Sequence, residues 1–478
     1  MINKKTAREI IYLILAFLGA SNILLNTYKY GIGLTDDSVN YIYSGIHLLQ
    51  MKGFYNYDGS IFINWPPLYS LIISIISGIG FDIYTALIIF NAIIFGLTVY
   101  LLGKLSEIIF TSSIIKILYV TTLTFSFQML FIFTRAWSET IFILLIIIII
   151  LTLLKNPEQN VIYLILFLSL CVLTRYLGIS LVISYYIYFA FIKTGTSKPL
   201  KTYSSKTLLI SAIAIIPTCL WFIRNRLMTN NITNISFNST ESLFSNINRL
   251  LEYTSALFIP ESIDAQIRIL LLVVLGGFTM WFFIKSKVYS DNKLITLISI
   301  IYIISLLIIS NIFKFDNISY RFLIPVYFIL LALIIRTLEV LILKLNNKIT
   351  KVLLSIFLAL TIIFPIEKGI KHTFINYNDG IEGFNSIEWK ESETIEYIES
   401  YDKNSKIYSN SPAGIYVNTG LSTYRISNYP HERLKGTLRV IFKKSLPEID
   451  NVPDLLNTIS QNDSIIYLKD SYIIITKN

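Results

Sequence analysis

The sequence contains little charge and a large excess of apolar residues. Only 15% of its 478 residues are charged, whereas 54% are hydrophobic, and the mean hydropathy is +0.63. About 25% of the residues of an ordinary soluble domain are charged. The low charge therefore excludes a soluble globular protein and indicates a polytopic membrane protein.

Cysteine and histidine are also scarce, so the sequence has no evident disulfide framework or zinc site. The two cysteines, Cys171 and Cys219, both lie within apolar stretches, where packing explains them. The three histidines, His47, His372 and His431, are scattered without the spacing of metal ligands. We therefore expect no cofactor, although the acidic first loop leaves the binding of a divalent metal ion open.

The net charge of +10 does not indicate a nucleic-acid partner, because the basic residues cluster in short loops between apolar stretches. The positive-inside rule and contact with anionic membrane lipid explain such loops. The loops expected in the cytoplasm, together with the N-terminus, are Lys193 to Lys206, Lys285 to Lys293 and Lys344 to Lys351. The loop 29–64, the long loop 225–268 and everything after residue 366 would then face outward.

Apolar stretches of spanning length, or slightly less, recur from residue 10 to residue 366. They predict about eleven to thirteen transmembrane helices, because a helix needs roughly twenty residues to cross and must satisfy its own backbone hydrogen bonds. Two complete crossings between residues 61 and 103 would conflict with the topology of the later loops, so a broken or half-length helix is expected there. Residues 1–366 are therefore the predicted transmembrane domain.

The composition changes after residue 366 to mixed charged and polar residues, which predicts a small extracytoplasmic α/β domain at 367–478. Residues 464–468 and 472–476 predict a terminal hairpin, and the pattern at 385–401 predicts a helix. Short apolar runs typical of strands occur at 406–410, 414–417 and 463–468.

Two adjacent carboxylates, Asp36 and Asp37, lie in the first outward loop. Apolar residues recur at helical spacing from Asp37 to Met51, which predicts a helix in the membrane interface that begins at these aspartates. A carboxylate at a helix start can cap backbone N–H groups and interact with the helix dipole. Two carboxylates together are more than a helix cap needs. Because placing a carboxylate beside lipid costs free energy, the pair indicates a catalytic role.

Four arginines interrupt otherwise apolar stretches at the predicted outer face: Arg135, Arg175, Arg224 and Arg321, with Glu139 near the first. A guanidinium group offers paired donors to a phosphate and always keeps its charge, so these residues predict an anionic lipid substrate. Snorkelling of each arginine to lipid headgroups is the alternative.

Several motifs follow one another along most of the chain. In order they are Asp36-Asp37, then Tyr41, Gly45 and Gly53, then Pro66-Pro67-Leu68-Tyr69, Ser138-Glu139, Thr174-Arg175-Tyr176, Arg224-Asn225, and Tyr320-Arg321 ahead of Pro325. With this order and an outward C-terminal domain, the chain resembles the bacterial GT-C glycosyltransferases of the protein mannosyltransferase and aminoarabinose transferase type. The resemblance implies a GT-C fold and a cell-envelope glycosyltransferase.

The resemblance also implies a reaction and a role for each candidate residue. Asp36 would be the catalytic base, with its neighbour Asp37 as the alternative. Asp37, Tyr41 or Glu139 would orient the acceptor or donor. The residues implied to hold the phosphate of a polyprenyl-phosphate sugar are Arg135, Arg175, Arg224, Tyr320 and Arg321. The sugar would pass, with inversion, to a glycan, lipid or protein acceptor outside the plasma (inner) membrane.

Two other functions remain open from the sequence. A flippase or transporter of lipid-linked sugars would place ionisable residues near the middle of the membrane and often has internal repeats, and the chain shows little of either. A polysaccharide ligase or polymerase also uses polyprenyl-linked donors, but it usually depends on a large outer loop late in the chain. Here the loop 225–268 carries few ionisable residues, whereas the acidic pair lies in the first loop.

Overall fold

The structure is a computed structural model of the chain, and it divides into two compact units. It describes residues 3–155, 160–192, 200–233, 241–285, 290–313, 317–401, 405–426, 437–443 and 463–475. The helical unit consists of Met1–Leu25, Ile63–Leu71 and Ile88–Phe374. The mixed unit consists of Asn26–Phe62, Ile72–Leu87 and Ile375–Asn478. Expectations for residues 193–199, 286–289, His431 and Thr476 lie outside the described residues.

Helices make up most of the described chain before residue 380. In chain order they are α1 (Lys4–Thr27), α2 (Asp36–Leu49), α3 (Leu68–Ser77), α4 (Ile83–Ile109), α5 (Ser113–Phe125), α6 (Phe127–Phe133), α7 (Glu139–Lys155), α8 (Val161–Thr174), α9 (Ile179–Ile187), α10 (Leu200–Thr229), α11 (Leu243–Phe258), α12 (Ala265–Lys285), α13 (Ser290–Ile312), α14 (Tyr320–Lys344) and α15 (Lys348–Asp379). Isoleucine-rich runs favour strands in water. In lipid a segment must satisfy its own backbone hydrogen bonds, so these runs are helical.

Among the described residues, six helices are long and apolar enough to cross a membrane: α1, α4, α10, α13, α14 and α15. The pair α5 and α6, bent by 47°, makes a seventh candidate if it is one span. Shorter apolar helices include the ten-residue α3. The prediction of a polytopic helical membrane protein is confirmed, as is a half-length helix between residues 61 and 103. The total of about eleven to thirteen crossings stays a prediction.

Helix α14 is the most buried of these candidate spans. In its most apolar window 78% of the residues are buried inside the protein, compared with 17% for α15. Phenol groups of two neighbouring helices donate to its backbone. Tyr119 of α5 donates to Phe328 O at 2.9 Å, and Tyr302 of α13 donates to Phe322 O at 2.8 Å. Because buried hydroxyls need such partners, these contacts hold α5 and α13 against α14.

A buried ion pair joins Arg336 and Glu339 in the later part of α14. Glu339 Oε1 also accepts hydrogen bonds from the backbone N of Thr111 at 3.1 Å and of Ser112 at 2.7 Å. These N–H groups lie at the start of α5 and have no partner within that helix. Glu339 therefore caps α5 and fixes its start against α14.

The chain bends between α5 and α6 at Ser126, whose hydroxyl accepts a hydrogen bond from the backbone N of Met129 at 3.4 Å. Helix α15 crosses this bend at Gly369. A Cβ atom at Gly369 would lie 1.9 Å from Phe125 O and 2.9 Å from Phe127 N. Only a residue without a Cβ permits this approach of two backbones.

The C-terminal part of the mixed unit is a small α/β fold, which begins with the last five residues of α15, 375–379. Its elements are α16 (Ile387–Lys390), α17 (Glu393–Ser400), β1 (Ile407–Ser409), α18 (Pro412–Thr419), β2 (Thr423–Arg425), β3 (Leu438–Phe442), β4 (Ser464–Tyr467) and β5 (Ser471–Ile475). The sheet order is β2-β1-β3-β5-β4. Strand β1 is parallel to β2 and β3, whereas β5 is antiparallel to β3 and β4. Its core includes Ile398, Ile407, Ile415, Val440 and Ile473.

The structure confirms the terminal hairpin, which is formed by β4 and β5. The helix predicted at 385–401 is interrupted, because Ser392 accepts a hydrogen bond from the backbone N of Ile395 and starts α17 anew. The run 414–417 was expected as a strand and lies instead in α18. Pro412 favours a helix start, and Gly420 ends the helix with φ +69°.

Replacing Gly369 with Ala should destabilise the protein. The added methyl group cannot fit against Phe125 O, and overpacking of this kind costs about 1–3 kcal/mol or more. We expect a lower melting temperature in detergent, measured by the change in tryptophan fluorescence on heating. Gly276→Ala is the matched control, because a Cβ at Gly276 in α12 meets nothing within 4 Å. Equal melting temperatures for the two variants would show that the crossing at Gly369 is not tight.

Candidate active site

The predicted interfacial helix is present as α2, and it begins at the acidic pair. Asp36 and Asp37 form its first turn, where the positive end of the helix dipole favours carboxylates. Thr35 precedes the helix, and its backbone N donates to Ser38 Oγ at 3.1 Å. Because Thr35 and Ser38 already close the start of the helix, the two carboxylates are not needed for this cap. Asp36 is exposed and Asp37 half-buried.

A segment far along the chain holds the residues just before Asp36. Phe384 N donates to Leu34 O at 2.9 Å, and Asn385 Nδ2 donates to Ile32 O at 2.9 Å. Gly383 has φ +134°, and a Cβ there would lie 2.2 Å from Leu34 O. The start of α2 is therefore positioned by the C-terminal part of the mixed unit, which the sequence did not reveal.

Two tyrosines support the acidic pair in different ways. Tyr41, a predicted orienting residue, is buried, and its ring lies 6.0 Å from that of Phe62. Tyr57 was not predicted. Burial raises the pKa of its phenol, and the nearby carboxylates of Asp36 and Asp58 raise that pKa further. Tyr57 is therefore protonated beside Asp36 at neutral pH.

In the helical unit, Glu139 is the first residue of α7, and its side chain is completely buried. Arg175 Nη1 lies 2.5 Å from Glu139 Oε1. Arg321 pairs with the same oxygen, and its Nη2 lies 3.4 Å from Oε2. Ser138 Oγ donates to Oε2 at 3.3 Å. The structure thus brings two of the predicted phosphate ligands, Arg175 and Arg321, to the predicted carboxylate of Glu139.

Each of these charged groups lies at a helix end. Glu139 follows the non-helical residues 134–138 between α6 and α7, Arg175 comes directly after α8, and Arg321 is the second residue of α14. Asn91 of α4 supports the break before Glu139. Its Nδ2 donates to Phe133 O at 2.9 Å and to Arg135 O at 2.8 Å. The sequence analysis did not single out Asn91, although an asparagine inside an apolar run is the pattern that could have identified it.

Arg135 joins the same group through an aromatic ring. Its guanidinium lies 4.0 Å from the centre of the Phe131 ring and 5.1 Å from that of Trp137. Arg321 lies 4.3 Å from the centre of the Trp137 ring. Cation–π contacts of this kind stabilise a guanidinium in an apolar site. We call Arg135, Glu139, Arg175 and Arg321 the Glu139 cluster. Arg175 and Arg321 pair with its single carboxylate and Arg135 lies against the Trp137 ring, so the cluster carries net positive charge.

The other two predicted phosphate ligands lie outside this cluster. Arg224 is on α10, where its Nη1 donates to Asn225 Oδ1 at 3.0 Å and its guanidinium lies 4.8 Å from the centre of the Trp221 ring. These contacts are within its own helix. Tyr320 donates to Glu261 Oε1 at 2.8 Å.

Glu261 also pairs with Lys368 of α15, and neither residue was predicted. We call Glu261, Tyr320 and Lys368 the Glu261 cluster. Within the described ranges, no three His, Cys, Asp or Glu side chains are grouped to hold a metal ion.

No model of a known protein family matches the chain, and no curated protein matches its sequence. Among solved structures, ArnT from Cupriavidus metallidurans bound to undecaprenyl phosphate matches with a TM-score of 0.58 and 9% identity, over 97% of each chain. The apo structure of the same protein matches with a TM-score of 0.58 and 9% identity, over 99% of this chain and 98% of that one. The arabinofuranosyltransferase AftD from Mycobacteria matches with a TM-score of 0.52 and 11% identity, over 97% of this chain and 40% of that one.

The matched proteins are glycosyltransferases of the GT-C fold, and the match extends over nearly the whole chain. This chain has the GT-C fold. The resemblance inferred from the order of sequence motifs is thereby confirmed for the fold, and the GT-C helices agree with a multi-pass membrane protein. At identities of 9% and 11% the matches show the fold and leave the reaction to be argued from the residues.

Replacing Glu139 with Gln should lower the melting temperature markedly. The change removes the counterion of two mostly buried guanidinium groups while nearly keeping the shape of the side chain. Breaking a buried ion pair costs about 3–5 kcal/mol. Glu241→Gln is the control, since Glu241 pairs with Arg249 at the surface, where ion pairs contribute little. A melting temperature of Glu139→Gln equal to that of the control would contradict a structural role for the cluster.

Proposed function

We propose that the protein is a membrane glycosyltransferase that moves a sugar from a polyprenyl-phosphate donor to an extracytoplasmic acceptor. The acceptor class comprises proteins, lipids and envelope glycans. The observation that carries the proposal is the likeness, over 97% of each chain, to a GT-C structure bound to undecaprenyl phosphate. The net positive charge of the Glu139 cluster supports an anionic substrate of this kind.

Asp36 is the proposed general base. An acceptor hydroxyl must lose a proton as it attacks the anomeric carbon, and a carboxylate within hydrogen-bond reach accelerates this step. Asp36 suits the role because it is exposed at the start of α2, where Thr35 and Ser38 already close the helix. Asp37 is the alternative base or an acceptor-orienting group. Attack from the face opposite the leaving phosphate inverts the anomeric centre.

The Glu139 cluster is proposed to stabilise negative charge on the leaving phosphate. Arg175 and Arg321 are held in place by Glu139 before any substrate binds, so little reorganisation is needed as the charge develops. In the same proposal these two arginines also bind the donor phosphate in the ground state, together with Arg135, Arg224 and Tyr320. Tyr41 acts indirectly, because its burial against Phe62 fixes α2.

The proposed location is the plasma (inner) membrane, with the acidic pair and the C-terminal domain outside the cytoplasm. The support is the distribution of basic residues. Lys4, Lys5 and Arg8 precede the first apolar stretch, and Lys344 to Lys351 separates two later ones. Basic loops of this length remain in the cytoplasm, which leaves the loop at 29–64 on the other side.

The function is tested by transfer of label from radioactive polyprenyl-phosphate sugars to envelope extract by purified protein in liposomes. Asp36→Asn should reduce transfer at least about 100-fold, because the amide cannot accept the proton. Asp58→Asn is the matched control. It removes a carboxylate from the same loop, where Asp58 accepts hydrogen bonds from Ser60, and transfer should persist.

Wild-type activity in Asp36→Asn, with loss in Asp37→Asn, would assign the base to Asp37. Full activity in both variants would refute a carboxylate base at this helix start. Failure of the wild-type protein to transfer from any donor, with translocation of the labelled lipid between leaflets, would replace the proposal with a flippase.

Removal of one arginine of the Glu139 cluster should weaken binding of the sugar donor. Arg321→Ala is expected to raise the KM for the polyprenyl-phosphate sugar about tenfold or more, because it removes a charge-assisted contact to phosphate. Arg226→Ala, at an exposed position near the end of α10, should leave this KM unchanged. An unaltered donor KM in Arg321→Ala would exclude Arg321 from phosphate binding.

A further inference from the structure

A groove opens between three helices at the end of α7 that lies opposite the Glu139 cluster. It has a volume of about 250 Å³, and its walls come from α4, α7 and α8. Glu139 is the first residue of α7, whereas Lys155, which lines the groove, is the last. Because α7 has 17 residues, about 25 Å of helix separates its two ends. The groove is therefore not part of the proposed donor site.

The groove lies towards the same end of the helical unit as the start of the chain. Arg8 of α1 pairs with Glu107 near the end of α4, where Arg8 Nε lies 2.6 Å from Glu107 Oε1. Lys116 of α5 pairs with the same carboxylate at 2.8 Å. Leu101, which lines the groove, is less than two turns before Glu107 on α4. The proposed cytoplasmic orientation of the N-terminus therefore places the groove in the inner leaflet.

The deeper part of the groove is apolar. Its walls there are Leu101 of α4, Ile148 and Leu151 of α7, and Phe167 of α8. Thr152 also lines the groove, but its hydroxyl donates to Ile148 O of its own helix at 2.8 Å. A buried water molecule needs about two to four polar partners, which these apolar side chains do not offer. A hydrocarbon chain suits these walls, because it restores the dispersion contacts that open space beside them would forfeit.

The charged and amide side chains of the groove lie at the helix ends. Lys155 ends α7 and Asn160 directly precedes α8, and both line the groove. Ile148 and Phe167 lie about 10 Å further along these two helices. Tyr163 in the first turn of α8 also lines the groove and is 59% exposed, as is typical of tyrosines at a membrane interface. The groove is thus polar at one end and apolar at the other, which matches an amphiphile.

Lys155 gives the polar end of the groove a positive charge. Lys104 on the neighbouring α4 pairs with Glu9, whereas Lys155 is exposed and makes no ion pair within the described ranges of the chain. Its ammonium group donates hydrogen bonds, as do an asparagine amide and a tyrosine hydroxyl, and phosphate oxygens accept them. Anionic lipids are enriched in the cytoplasmic leaflet, where basic groups between transmembrane helices bind their headgroups. The charge therefore selects an anionic amphiphile over a neutral one.

We propose that this groove binds an anionic phospholipid of the inner leaflet, with one acyl chain against Leu101, Ile148 and Phe167 and the phosphate at Lys155. A chain in the groove contacts α4, α7 and α8 at once. It thereby stabilises the helix that carries Glu139 at its other end. The site does not depend on the proposed glycosyl transfer, because it lies at the opposite end of α7 from the Glu139 cluster.

The test places a fluorescent reporter in the groove of the full chain, purified in maltoside detergent. Phe167→Trp adds a tryptophan to the apolar wall, and phosphatidylglycerol with brominated acyl chains should quench its fluorescence. The quenching of the five native tryptophans is measured in the protein without this substitution and subtracted. Phosphatidylcholine with the same brominated chains, which has no net charge, should bind about fivefold more weakly, the difference expected for one lysine near a membrane surface.

Lys155→Gln in the reporter protein should abolish this preference by weakening the binding of phosphatidylglycerol. Lys348→Gln is the matched control, because Lys348 is an exposed lysine at the start of α15 and does not line the groove. It should keep the preference for phosphatidylglycerol unchanged.

Absence of quenching in Phe167→Trp would show that the groove holds no lipid chain. Equal affinities for the two lipids, or a preference that survives in Lys155→Gln, would refute recognition of an anionic headgroup. Displacement of phosphatidylglycerol by an about tenfold lower concentration of polyprenyl phosphate would assign the groove to the carrier lipid and also overturn the proposal. If Phe167→Trp fails to fold, Tyr163→Trp serves as the reporter, because Tyr163 lines the groove at an exposed position.

Discussion

One buried carboxylate organises the polar part of the helical unit. Glu139 is inaccessible to solvent and binds Arg175 and Arg321, which come from the end of α8 and the start of α14. In an apolar interior an unpaired guanidinium is very costly, and a lone carboxylate is equally so. Together they are tolerated, and they set the relative positions of three helix ends. With Arg135 added through Trp137, the result is a group with net positive charge, and we propose that it stabilises the negative charge that develops on the leaving phosphate.

The breaks between helices make this group possible. A membrane helix satisfies its own backbone, so polar side chains can gather only where helices end or bend, and each such place leaves carbonyl and N–H groups that need partners. Asn91 supplies them at the α6–α7 break, and Glu339 does so at the start of α5. At the α5–α6 bend the backbone of α15 approaches so closely that only Gly369 fits. The site depends on these irregular points more than on the apolar helices.

The acidic pair, Asp36 and Asp37, is positioned by a different kind of interaction. Asp36 lies on an exposed first turn, and its position is set by contacts from residues far along the chain, as in the hydrogen bond from Asn385 Nδ2 to Ile32 O, 353 positions away. The base proposed for the reaction thus depends on the C-terminal part of the mixed unit. That dependence gives the small α/β fold a role in the proposed catalysis beyond its own stability. The Glu261 cluster in the helical unit is also formed by a contact between distant parts of the chain, because the loop carboxylate of Glu261 pairs with Lys368, 107 positions away.

The sequence by itself determined the membrane class, the helix that starts at Asp36, the short helix after residue 61 and the terminal hairpin, because hydropathy and local periodicity act over a few residues. The order of its motifs was enough to indicate the GT-C fold. Only the tertiary structure decided that Arg175 and Arg321 meet at Glu139 and that Tyr320 bonds Glu261 instead. Those contacts join residues 36 to 182 positions apart, and local pattern carries no information about which distant side chains pack together. The helix at 412–419 shows the same limit on a smaller scale, since its short apolar run suits a strand until Pro412 and Gly420 are considered as helix boundaries.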